Sequence, residues 1–188
     1  MVGDVVQRVV IVTLCVHAQR LHVLNRTMVI GRRWNVRWQR SSHLYRPEAV
    51  SEAARTNGHL HVACAVDYFL IAGNRFPWRD MRDAVIARRG YDNFLVTFAV
   101  RNNVSVVDAT DSLLAVHQSD DESRDQRRHV KDTNYNMLHL PLRFRINSGL
   151  TSSSQFLTVR NSSEIVVVRR RAIPARSRFR KDLFSHIV

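Results

Sequence analysis

Asp67 stands inside the run HVACAVDYFLI (61–71), the longest apolar stretch in the middle of the chain. A carboxylate in such a run is costly unless it is paired, lies at the exposed end of a strand, or has chemistry to perform. Arg32 and Arg33 come just past the apolar run 28–30 and Gly31. Two guanidinium groups at a strand end suit a diphosphate, and solvation is the plainer alternative for them. In VVDATDSLL the carboxylate of Asp108 stands two residues before Thr110, a spacing at which it can order a turn by hydrogen bonding. Asp92 opens a helical segment, where a carboxylate acts as a cap. His117 closes the apolar segment 113–116, where a lone imidazole serves either packing or ligation. The scattered Asp and His residues have no spacing that points to a nuclease.

These side chains need elements to hold them. Runs 9–16 and 28–30 are rich in β-branched residues and bounded by polar ones, which predicts short buried strands. A helix is predicted over 46–55: Pro47 suits its first turn, Glu48 the positive end of its dipole, and Asn57-Gly58 its stop. The run 61–71 is expected to be one strand. Residues 73–89 are irregular and rich in Arg, with Pro77 and Trp78, and read as a surface loop long enough to cover a site. Tyr91, Phe94, Leu95 and Phe98 recur at helical spacing, predicting a helix over 91–101. Strands are expected at 104–107 and 113–116, and a hairpin from 155–159 and 164–168. Helix and strand alternate, as in an α/β layered domain.

With 45% hydrophobic and 24% charged residues in 188, the chain can bury a core. Its formal net charge of +13 raises the possibility of a nucleic-acid or other polyanionic partner. The cations are spread along the chain and are Arg except for Lys131 and Lys181, a bias that codon composition also produces. Two cysteines, Cys15 and Cys64, make neither a disulfide framework nor a four-ligand zinc site, and are read as small buried hydrophobes. The stretch 5–16 is interrupted by Gln7 and Arg8 and falls short of the roughly 20 apolar residues of a membrane span. No signal peptide or anchor is read, and the compartment stays open, since triplets at Asn25, Asn103 and Asn161 accept a glycan only in a secretory setting. Residues 119–133 are predicted to be a flexible charged loop, and 169–188 a basic tail without fixed structure.

Four stretches, VIGRRWNV (29–36), VDYFLI (66–71), RRGYDNFLV (88–96) and VVDATDSLLAVHQ (106–118), together resemble the nucleotide-diphospho-sugar transferase-like proteins of the GT-A glycosyltransferase superfamily. The resemblance covers 28–118, and more loosely NYNMLHL (134–140) and GLTSSSQFLTVRN (149–161). It implies an α/β fold, a partial GT-A, Rossmann-like sandwich with a mixed sheet spanning 28–168, in which a sugar nucleotide, Mn or Mg, and an acceptor meet at the carboxyl ends of the strands. In that pattern Asp92 faces the acceptor as general base. His117 approaches the metal or diphosphate. Asp67, Arg32, Arg33 and Asp108 contact substrate or order the site. The superfamily's Asp-x-Asp metal motif is absent from this sequence, and residues 1–27 match poorly. The N-terminal nucleotide-binding half is therefore expected to be incomplete, and the chain to be a fragment or degenerate member. The competing expectation is a non-enzymatic Arg-rich module that binds nucleic acid or acidic polymers through the 75–89 loop and the tail.

Overall fold

A computed structural model describes residues 9–12, 26–37, 46–62, 64–71, 76–86, 88–119, 134–140, 149–161 and 164–171. The strands among the described residues are β1 (Val9–Val12), β2 (Thr27–Gly31), β3 (Trp34–Arg37), β4 (Gly58–Leu60), β5 (Tyr68–Ile71), β6 (Ser105–Asp108), β7 (Leu114–Ser119), β8 (Phe156–Asn161) and β9 (Glu164–Arg169). The helices are α1 (Pro47–Asn57), α2 (Tyr91–Arg101) and the short α3 (Tyr135–His139). The strands form two mixed sheets, ordered β5-β2-β6-β8-β9 and β1-β7-β3-β4. The architecture is mixed α/β.

Two central strands of the larger sheet pass into the smaller one. β2 and β6 run parallel with Met28 opposite Val106, and after short breaks their continuations β3 and β7 also run parallel, with Trp34 opposite Val116. The breaks are Arg32-Arg33 and residues 109–113, so both fall at the carboxyl ends of β2 and β6. Helix α2 covers one face of the larger sheet, packing Phe94, Leu95, Phe98 and Ala99 on Met28, Ile30 and Val106. The other face packs Val29, Val107 and Tyr68 with Ala109, Leu113 and Ala115. Helix α1 covers the smaller sheet through Val50 and Ala54 on Val36 and Val116.

The run 61–71 is not one strand. Gly58–Leu60 pairs with β3 and Tyr68–Ile71 with β2, while 61–67 bends between them. Its partner is itself broken at Arg32-Arg33: the His61 N–H donates to the Arg33 carbonyl and the Asp67 N–H to that of Gly31. Cys64 sits on this bend and is exposed, not buried as expected; Cys15 lies outside the described residues. The hairpin forms as β8 and β9, antiparallel, with Asn161 opposite Glu164. Arg169, expected to begin a tail without fixed structure, instead ends β9, and Arg170 just after it binds Asp108. The charged loop expected at 119–133 lies outside the described residues from 120 onward, as does the tail after Arg171. No helix among the described residues is long and apolar enough to cross a membrane.

Candidate functional site

At the break between β2 and β3 the backbone carries Arg32 and Arg33 past Gly31. Gly31 is required there because a Cβ would collide with the Tyr68 hydroxyl. The Arg33 Nη1 lies 2.9 Å from Asp67 Oδ1, and the Arg33 N–H donates to Asp67 Oδ2 at 3.2 Å. Asp67 thus meets the demand its sequence position makes: its side chain is only 6% exposed and it is paired at the start of β5. Arg33 Nε also donates to Asn35 Oδ1 at 3.0 Å, and Asn35 Nδ2 lies 3.1 Å from His61 Nδ1.

The second break carries Asp108. Its Oδ1 accepts from the Thr110 N–H at 3.0 Å and from the Thr110 hydroxyl at 2.6 Å, which builds the expected turn. Thr110 Oγ1 in turn accepts from the Arg32 N–H at 3.1 Å, tying the two breaks together. Asp108 Oδ2 is bound by Arg170 Nη2 at 2.8 Å. Arg32 keeps its guanidinium without a carboxylate partner among the described residues, donating only weakly from Nη1 to the His61 carbonyl at 3.4 Å. A cavity of about 280 Å³ opens here, lined by Arg32, Asp108, Thr110, Thr151 and Arg170 among others.

Asp92 lies in the first turn of α2. It is not the helix cap: Gly90, in the left-handed conformation at φ 85°, holds that position, and no side chain caps the helix. Burial first, and then the negative charge of Asp67, push the Asp92 carboxyl up to about 6, against the opposing pull of Arg33 and of a backbone hydrogen bond. Asp92 therefore shares the electrostatic field of the Asp67–Arg33 pair. Burial, followed by the charges of Asp108, Asp111 and Asp67, also raises the Tyr68 phenol and keeps it protonated.

Asp67, Asp92, Arg32, Arg33 and Asp108 are thus brought to one end of the larger sheet. His117 is not among them. It is buried within β7 in the smaller sheet, with Asn35 opposite it in the β3–β7 register. Among the described residues no group of three His, Cys, Asp or Glu side chains stands close enough to hold a metal ion. A larger cavity, about 550 Å³, lies against α1 and is lined by Trp34, Arg55, Leu60, Asp111 and Arg160 among others. Neither cavity is lined by Asp92.

Two residues that sequence reasoning passed over hold this region in place. Asn136, with no exposure, accepts from the Val85 N–H at 2.8 Å and donates to the carbonyls of Val85 at 2.8 Å and Arg88 at 3.3 Å. It fixes the segment leading into Gly90 and Asp92. An amide set between Tyr135 and Met137 in NYNMLHL was its signal, shared with Asn134 two residues earlier. Arg170 had no local signal, because its partner is 62 residues away.

Comparison with known protein families, with curated proteins and with solved structures gave no match to this chain.

Proposed function

We propose that the end of the larger sheet is the acceptor side of a sugar-nucleotide-dependent glycosyltransferase site, in a partial GT-A-like domain. The observation that carries the reading is Asp92: a carboxylate raised to about 6 at the start of α2, in the field of the Asp67–Arg33 pair. A carboxylate with that affinity is largely ionised at neutral pH and is a stronger base than an ordinary Asp. In this proposal an acceptor hydroxyl passes its proton to Asp92 as its oxygen attacks the anomeric carbon of the donor. The glycosidic oxygen leaves with its electron pair on the nucleoside diphosphate. Arg32, with no carboxylate partner among the described residues, offers its charge to that leaving group. Asp67 and Arg33 position Asp92, and Asp108 positions Arg32 through Thr110. A Mn or Mg ion, where one takes part, would arrive with the donor and neutralise its diphosphate, and no step here runs through it.

The test is transfer from a panel of labelled sugar nucleotides to saccharide acceptors, with saccharide and sugar-nucleotide binding measured in parallel. Asp92→Asn is expected to abolish transfer while retaining acceptor binding, and Arg32→Ala to weaken donor binding. A folded chain that neither transfers nor binds either class would sink the proposal.

A second reading has its own support. Arg79, Arg82 and Arg89, in the segment before α2, are all exposed, as an Arg-rich module for nucleic acid or acidic polymers requires. Binding of this kind weakens steeply with salt because many phosphates or carboxylates are contacted, whereas sugar-nucleotide binding through Arg32 weakens much less steeply. A salt titration therefore separates the two readings.

A further inference from the structure

The cavity of about 550 Å³ against α1 has the volume of a small-molecule site, and neither Asp92 nor Arg32 lines it. Its polar groups divide by what each already does. The hydroxyls are engaged inside the protein: Ser51 Oγ donates to the Pro47 carbonyl at 2.8 Å, Thr110 Oγ1 to Asp108 Oδ1 at 2.6 Å, and Ser112 Oγ to Thr158 Oγ1 at 2.7 Å. The charged side chains are not. Arg55, Asp111 and Arg160 are exposed, and none of the three makes a side-chain hydrogen bond or ion pair among the described residues. Ala54, Thr110, Ser112 and Leu113 are buried, so they form the floor and the three charges stand at the rim. Trp34 supplies an aromatic wall. It is half-buried and packs against the cluster of Val36, Val50, Ala54 and Val116, and its ring meets no other aromatic side chain among the described residues.

We propose that this cavity binds a free nucleoside monophosphate. A flat heteroaromatic ring gains from stacking on an indole whatever its substituents. Two guanidinium groups with no carboxylate of their own suit a phosphate dianion, which accepts from both. Asp111 selects for a nucleotide over other aromatic anions: its carboxylate repels a bare anion and needs N–H or O–H donors, which ring nitrogens and ribose hydroxyls provide. Thr110 and Asp111 also line the cavity at Arg32, so the two cavities adjoin and the test must tell them apart.

The experiment is titration calorimetry of the full chain with AMP, GMP, CMP and UMP, and with inorganic phosphate and the parent nucleosides. At least one mononucleotide is expected to bind more tightly than phosphate or its own nucleoside. Trp34→Leu is expected to weaken that binding about tenfold, as loss of one stacked base does. Arg55→Gln and Arg160→Gln, at exposed positions outside the core, are each expected to weaken it about tenfold, and they keep the test decisive if Trp34→Leu does not fold. Asp111→Asn is expected to weaken the nucleotide while strengthening inorganic phosphate, opposite signs that a general loss of structure would not give. Absence of binding by all four mononucleotides overturns the proposal, as does binding that neither Gln variant changes. Binding lost in Arg32→Ala but kept in both Gln variants belongs to the smaller cavity and overturns it too. Affinity that climbs steeply with the length of a single-stranded oligonucleotide overturns it in favour of nucleic acid. None of these outcomes bears on the transferase reading, whose readouts are transfer and donor binding through Arg32.

Discussion

The carboxyl ends of β2 and β6 and the middle of β3 and β7 are made from the same two stretches of chain, yet they hold polar groups in opposite ways. At the strand ends, Arg33, Asp67, Asp108 and Thr110 form interlocking hydrogen bonds and ion pairs, with Asp92 in the same field. One short step further along, Asn35 and His117 lie side by side within a sheet, and His117 is 4% exposed. In the first region the chain leaves the ladder and frees backbone and side-chain groups to converge. In the second the ladder continues and holds Asn35 in register opposite His117, although Asn35 also accepts from Arg33 and meets His61. Convergence follows from a break in two adjacent parallel strands.

That contrast can be broken experimentally in graded ways. The largest effect is expected from Arg33→Met, which leaves the carboxylate of Asp67 buried without its ion pair: about 3–4 kcal/mol of stability lost in denaturant unfolding, and much less lost when Asp67→Leu is added. Asn136→Ala comes next. It strips the anchors of the segment before α2 and is expected to cost about 2–3 kcal/mol in thermal unfolding, with faster amide exchange at residues 85–90.

Asp92→Asn works in the other direction. Folding raises the Asp92 carboxyl from 3.8 to about 6. The folded state therefore holds this proton more tightly than the unfolded chain, and the resulting stability, present below about 4, is lost as pH rises through about 6. The Asn variant is expected to gain about 2 kcal/mol at pH 7.5, after allowance for partial solvent screening, with the gain vanishing below pH 4. Melting curves across that pH range check it. Loss of transfer together with gained stability would mark Asp92 as a residue kept for function. The smallest effect is expected at His117. His117→Gln should cost about 1 kcal/mol and leave any divalent-ion dependence of donor binding unchanged, as titration calorimetry with Mn²⁺ can show.

Much of this was legible in the sequence wherever one local pattern decided the outcome. Helix α2 follows from Tyr91, Phe94, Leu95 and Phe98 on one face, and α1 from Pro47 at its start and Asn57-Gly58 at its end. The pairing forced on Asp67 was readable because burying a carboxylate leaves few options. The break of 61–71 into β4 and β5 was not, because an apolar run carries no mark of which sheet each part will join. Cys64 was misread for the same reason: apolar neighbours in sequence do not bury a residue that lies on a bend. Arg170 was unreadable because its worth depends on Asp108, and Gly90 took the cap position from Asp92 because only glycine readily adopts the backbone conformation found there.

The account rests most heavily on the state of Asp92, and its side-chain carboxyl resonance followed by carbon-13 NMR from pH 3 to pH 8 reports on it directly. A midpoint near 6 that rises in Arg33→Met and falls in Asp67→Asn is the expected result. A midpoint near 4 that neither substitution moves would contradict the claim that these three side chains form one site.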